Sequence, residues 1–100
     1  MDFFVPYMEQ ITALCKKHHV KSLHAFGSSA RGDMKPTSDV DLLLELPLED
    51  PHSFSDHYWA LEEGLKALFH REVDLVSKRA LRNKYFIQEL EQSKVALYEA

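Results

Sequence analysis

The chain is short of the residues that mark several protein classes. It holds one cysteine, Cys15, in 100 residues, which excludes an internal disulfide and any zinc site built on several thiolates. Three glycines and four prolines are too few for collagen-like or linker sequence. No apolar run approaches the roughly 20 residues that a membrane-spanning helix needs. The opening MDFFVPYMEQ carries neither a basic cluster nor a long apolar stretch, so no secretory leader and a cytoplasmic location are expected. A basic excess is also missing. Twelve Lys and Arg stand against 16 Asp and Glu, a net charge of −4, which argues against a general nucleic-acid binder.

What is present fits one folded domain over residues 1–100. The chain is 45% hydrophobic and 28% charged, which is ordinary for a globular protein. Pro6 and the spacing of Met8, Ile11, Leu14 and Cys15 predict a helix over 6–19. A short strand is expected over 22–26, closed by Gly27. Residues 27–38, GSSARGDMKPTS, form a turn-rich segment with room for one helical turn near Ser29–Arg31. The alternation of DVDLLLEL predicts a strand over 39–46. Asp39, Asp41, Leu43 and Glu45 fall on one face of it, and Val40, Leu42, Leu44 and Leu46 on the other. A helix over 54–70 follows, capped by Ser53 or Ser55, then a strand over 72–76, a helix over 78–92, and a short strand or extended tail over 95–98. The expected fold is mixed α/β (α+β), a small mixed β-sheet flanked by helices. The helical link between the second and third strands predicts a parallel pair, and the shorter link before it an antiparallel return. Gly27, Ser28, Asp39, Asp41 and Asp74 then meet at one edge of the sheet.

That convergence carries the chemistry. Two aspartates two apart on a strand project from the same face, and Asp74 joins them from the neighbouring strand. Carboxylate oxygens suit the hard cations Mg²⁺ and Mn²⁺, singly or in pairs. Three acids in one patch repel each other unless a cation or protons compensate. Gly27 allows a phosphate to approach the backbone, and Ser28 offers a hydroxyl and an N–H at the start of a turn. Arg31 and Lys35 lie further along the same loop, where either can meet a phosphate oxygen. Acids for the metal and a loop for phosphates together suit a metal–triphosphate.

The stretch AFGSSARGDMKPTSDVDLLLEL resembles the active-site signature of the DNA polymerase β-like nucleotidyltransferases, and most closely the minimal nucleotidyltransferase (MNT) group. The likeness continues at VDLVS, Val73–Ser77, and more loosely at Leu97–Glu99. It implies that Gly27 and Ser28 hold the triphosphate, that Asp39 and Asp41 bind the metals, two Mg²⁺ ions, and that Asp74 is the third acid and a further metal ligand, helping to activate the incoming hydroxyl directly or through the second metal. Thr37 departs from the pattern, since an acid is common there. The resemblance implies transfer of AMP from ATP to a hydroxyl. In the MNT group it further implies an antitoxin, with a helical HEPN-domain toxin as partner and a tyrosine of that toxin as acceptor.

The shortness of the chain argues the same way, since little is left over to hold an acceptor and a second chain is expected to supply that surface. Two other readings compete. One is an antitoxin that neutralises by docking alone. The weaker one is transfer to a small molecule of the antibiotic type, for which the chain lacks an acceptor domain. A homodimer stays open. The histidines at 18, 19, 52, 57 and 70 show no clean ligand spacing, Cys15 reads as core, and at least one of Tyr58 and Trp59 faces away from the core. Lys78, Arg79, Arg82 and Lys84 read as a solvated helix start, with a contact surface as the alternative.

Overall fold

The computed structural model describes residues 3–32 and 34–100. Met1, Asp2 and, within the turn-rich segment, Asp33 lie outside the described residues. A 3₁₀ turn over Val5–Tyr7 leads into α1 (Met8–Lys17), and β1 (Ser22–Ala25) follows. A single helical turn, α2 (Ser28–Arg31), precedes β2 (Val40–Glu45). Then come α3 (Pro51–Phe69), β3 (Val73–Ser77), a second 3₁₀ turn over Lys78–Ala80, α4 (Lys84–Ser93) and β4 (Val95–Glu99). The four strands form one sheet in the order β3-β2-β1-β4. β2 and β3 are parallel, and β1 runs antiparallel to both β2 and β4.

Strand alternation sorts the sheet into two faces. Leu23, Ala25, Val40, Leu42, Leu44, Val73 and Leu75 point to the face covered by α1 and α3, whose Ile11, Cys15, Leu61, Leu65 and Phe69 complete the main core. The opposite face carries Leu43, which joins Phe26 and the α4 residue Leu90 in a smaller cluster with Val76 and Leu81. α4 therefore covers only part of that face. Asp41 and Asp74, paired in register across β2 and β3, belong to the uncovered part.

The helix ends correct two expectations. α3 begins at Pro51, because Asp50 is its cap: the Asp50 carboxylate accepts from the Ser53 N–H at 2.9 Å. Neither Ser53 nor Ser55 caps it. The helix expected over 78–92 is broken. Its first residues form the 3₁₀ turn, the chain runs extended at Leu81, and α4 starts only where the Asn83 side chain accepts from the Tyr85 and Phe86 N–H groups. α1 ends by a Schellman turn without glycine, with His19 in the left-handed region at φ 63° and the Val20 N–H bonded to the Cys15 carbonyl at 2.9 Å.

Candidate active site

The turn that leaves β1 is shaped around Asp41. Gly27 has φ 59° and ψ −141°, a conformation that L side chains rarely adopt. A Cβ placed there would stand 3.0 Å from Asp41 Oδ2. Glycine is thus required both by the backbone and by the carboxylate that lies against it. The chain then coils into α2, and Gly32 ends that turn at φ 80°. The first N–H groups of such a turn have no carbonyl of their own helix to bond, which leaves Ser28 at a place suited to an anion.

Two hydrogen bonds tie this turn to β2. The Phe26 N–H donates to the Asp41 carbonyl at 3.1 Å. The Asp41 N–H donates to Ser29 Oγ at 2.9 Å. Ser29 is only 1% exposed, so its hydroxyl is an internal strut rather than a ligand for substrate. It was not singled out from the sequence, where Gly27-Ser28 drew attention to the neighbouring serine; a serine at a strand-to-helix turn was the only available signal.

Two of the three acids stand side by side. Asp41 and Asp74 are in-register partners on adjacent parallel strands, which lie about 4.8 Å apart. Asp39 precedes β2 by one residue and is exposed. Burial raises the Asp41 carboxyl above its ordinary range, and the negative charges of Asp74 and Asp39 push it further the same way. The Arg31 guanidinium opposes the shift, which places its charge at the same site. Gly27, Asp39, Asp41, Asp74 and Arg31 are therefore brought together, with Ser28 at the head of α2. The backbone of Lys35 closes a turn on Ser38: its N–H donates to Ser38 Oγ at 2.9 Å, and its carbonyl accepts from the Ser38 N–H at 2.9 Å.

The donor set fits a hard divalent cation. A half-buried carboxylate whose proton affinity is raised by burial and by neighbouring negative charges, as at Asp41, is what such an ion relieves. Among the described residues no three His, Cys, Asp or Glu side chains are gathered tightly enough to hold a metal by themselves. Mg²⁺ is commonly held by one or two carboxylates together with substrate phosphates and water.

The family comparison decides the class of chemistry. A model of the nucleotidyltransferase domain matches residues 7–97. The chain belongs to the nucleotidyltransferase family. Among curated relatives, a candidate protein adenylyltransferase of Methanocaldococcus jannaschii is 37% identical over 76 residues, covering 76% of this chain and 75% of its own. The protein adenylyltransferase MntA of Thermococcus cleftensis is 39% identical over 70 residues, covering 70% and 68%. A solved structure of a candidate minimal nucleotidyltransferase superposes with TM-score 0.72 at 32% identity, covering 90% of this chain and 88% of its own. A toxin–antitoxin crystal structure with AMP-PNP gives TM-score 0.72 at 20% identity, covering 94% and 74%. A tri-AMPylated HEPN toxin of Shewanella oneidensis in complex with its MNT antitoxin gives 0.62 at 18%, covering 93% and 70%. At those last two identities the likeness is one of fold.

Elsewhere on this nucleotidyltransferase the structure revises the basic run. Lys78 pairs with Glu45 at 3.7 Å. Arg79 donates to the Leu46 and Leu48 carbonyls at 2.8 and 2.7 Å and lies over the Phe54 ring at 4.2 Å. Arg82 turns back onto the Arg79 and Leu81 carbonyls. Lys78, Arg79 and Arg82 thus fasten the break before α4 and the β2–α3 loop, and of the four cations only Lys84 stands at the start of α4. His18 and His57 also meet, against expectation, with their Nδ1 atoms 3.0 Å apart. The packing of α1 on α3 joins residues that sequence spacing leaves unrelated. Trp59 is 59% exposed, while Tyr58 turns inward and donates its hydroxyl to the Leu75 carbonyl.

Proposed function

We propose that this nucleotidyltransferase transfers AMP from ATP to a hydroxyl, a tyrosine, on a helical HEPN-domain partner, and that it thereby acts as the antitoxin of a toxin–antitoxin pair. The observation that carries the reading is the junction of Gly27, Asp41 and Asp74, where a loop suited to phosphate lies in contact with one of a pair of facing carboxylates. The adenylyltransferase names of the relatives support AMP as the group transferred. The AMP-PNP complex supports ATP as donor, and the AMPylated HEPN toxin supports the partner.

The roles follow from the placement. The turn at Gly27-Ser28 would take the phosphates, with Ser28 and Arg31 meeting their oxygens. Asp39 and Asp41 would hold Mg²⁺, with Asp74 beside them; when bound, the ion neutralises the charge gathering on the phosphates. Asp74 orients the acceptor hydroxyl and takes its proton. The acceptor oxygen forms a bond to the α-phosphorus as the bond to pyrophosphate breaks, so the products are an adenylylated hydroxyl and pyrophosphate.

One observation favours the docking-only alternative. A groove of about 420 Å³ beside Trp59, lined also by Phe54, Tyr58, Leu75, Val76 and Ala80, offers an aromatic surface at the edge strand β3. Mass spectrometry of the partner after incubation with ATP and Mg²⁺ separates the two. A gain of whole AMP units that disappears in Asp41→Asn supports transfer. Neutralisation of an unmodified partner by both forms supports docking and defeats transfer.

A further inference from the structure

Asp39 lies outside the strand ladder, at the end of a segment over 34–39 without regular structure. What fixes it on that side is a turn in which Lys35 and Ser38 exchange two hydrogen bonds, each 2.9 Å. A side chain from another part of the fold closes over this turn. Arg71, in the connection between α3 and β3, places Nη1 2.8 Å from the Lys35 carbonyl and 3.1 Å from the Ser38 carbonyl. The Ser38 carbonyl belongs to the peptide bond that leads directly into Asp39. The guanidinium is itself held, stacked 4.8 Å from the centre of the Phe3 ring. The next residue, Glu72, accepts from the Val40 N–H at 3.0 Å, so the loop is bound to the same connection on both sides of Asp39.

We infer that Arg71 is a positioning residue for the nucleotidyl transfer site, and that its guanidinium clamp on the Lys35 and Ser38 carbonyls sets the placement of Asp39 relative to Asp41 and Asp74. The inference rests on Asp39 being one of the acids that serve the reaction. The connection that carries Arg71 also feeds β3, and with it Asp74. One residue thus links the loop before the first acid to the strand of the third. A guanidinium suits this place because it is always charged and presents planar donors that bond carbonyls while stacking on a ring. Lysine, with a strongly hydrated point charge, does not reproduce that geometry.

The test is Arg71→Ala, read first without metal or nucleotide. Loss of the clamp is expected to speed hydrogen exchange of the Ser38 amide about 10-fold while Leu42 and Leu44, inside the sheet, keep their protection. In transfer assays the Mg²⁺ concentration for half-maximal rate rises about 10-fold, the KM for ATP moves much less, and added guanidinium ion restores part of the loss. Unchanged Ser38 exchange, or faster exchange spread evenly through β2, overturns the inference. Asp39→Asn separates the two layers. If that variant keeps full transfer, the reading of Asp39 fails. If it is inactive while Arg71→Ala matches the wild type, the clamp alone fails.

Discussion

Replacing Gly27 by alanine tests how closely the turn after β1 is fitted to Asp41, and Gly32 supplies its control. Both glycines have positive φ, 59° and 80°. Alanine at the left-handed Gly32 costs about 1–2 kcal/mol, and at Gly27, whose ψ of −141° falls outside that region in backbone space nearly reserved for glycine, up to about 3 kcal/mol; for a domain of this size each kcal/mol lowers Tm by roughly 4–8 °C. Their surroundings differ. A Cβ at Gly32 meets nothing within 4 Å, whereas at Gly27 it stands 3.0 Å from Asp41 Oδ2. The carboxylate is the end of a side chain and yields by rotating, so the added stability cost is small. Its rotation nonetheless moves an acid proposed to serve the reaction, and a displacement near 1 Å costs about 100-fold in rate. Thermal unfolding, measured on both variants, is expected to show a loss of Tm in each and the larger loss in Gly27→Ala. Transfer is expected to fall about 10- to 100-fold in Gly27→Ala and by less than about 2-fold in Gly32→Ala. Near-normal transfer in Gly27→Ala, measured at a temperature where the variant stays folded, would show that the turn is not fitted to Asp41.

Asp41→Asn is expected to raise Tm of the metal-free protein at neutral pH while abolishing transfer. The raised Asp41 carboxyl binds its proton more tightly folded than unfolded, so its ionised form weakens the fold, and the gain fades as pH falls through that raised value. His18 acts in the opposite part of the pH scale. Burial and the nearby His57, Lys17 and His19 lower its affinity for a proton below the ordinary 6.5, so stability should fall as pH drops below about 6.5. His18→Gln should flatten that part of a Tm-against-pH curve. Arg79→Ala removes two bonds to loop carbonyls and a stacked cation, and should cost about 1–3 kcal/mol in denaturant unfolding, with Lys84→Ala nearly neutral. The Cys15 thiol, pushed up to about 12 by burial, should resist thiol reagents until the protein unfolds.

The strands and the acid edge were legible because local pattern and tertiary need agree there. The alternation in DVDLLLEL states which residues face the core, and the length of each link decides parallel from antiparallel. Asp41 beside Asp74 follows from those two facts alone. What escaped the sequence depends on contacts made at a distance. Asp50 and Ser53 are both good caps, and only the position of Pro51 at the first turn selects Asp50. The break at Leu81–Asn83 interrupts a plausible apolar spacing, because Arg79 is drawn back to the Leu46 and Leu48 carbonyls. Ser29, Arg71 and the His18–His57 pair act across 12, 33 to 36 and 39 positions of chain, and no periodicity reports such pairings. The candidate site was thus readable in its strand acids and its glycine turn, and hidden in the residues that brace them.

The central claim is that the three aspartates serve transfer of a nucleotidyl group to a protein hydroxyl. ATP labelled at the α-phosphate, or in parallel at the γ-phosphate, tests it when incubated with Mg²⁺, the protein and its co-purified helical partner. The account predicts label on the partner from α-labelled ATP alone, lost in Asp39→Asn, Asp41→Asn and Asp74→Asn. Label arriving from the γ-phosphate, or α-label persisting at full level in those variants, would contradict it.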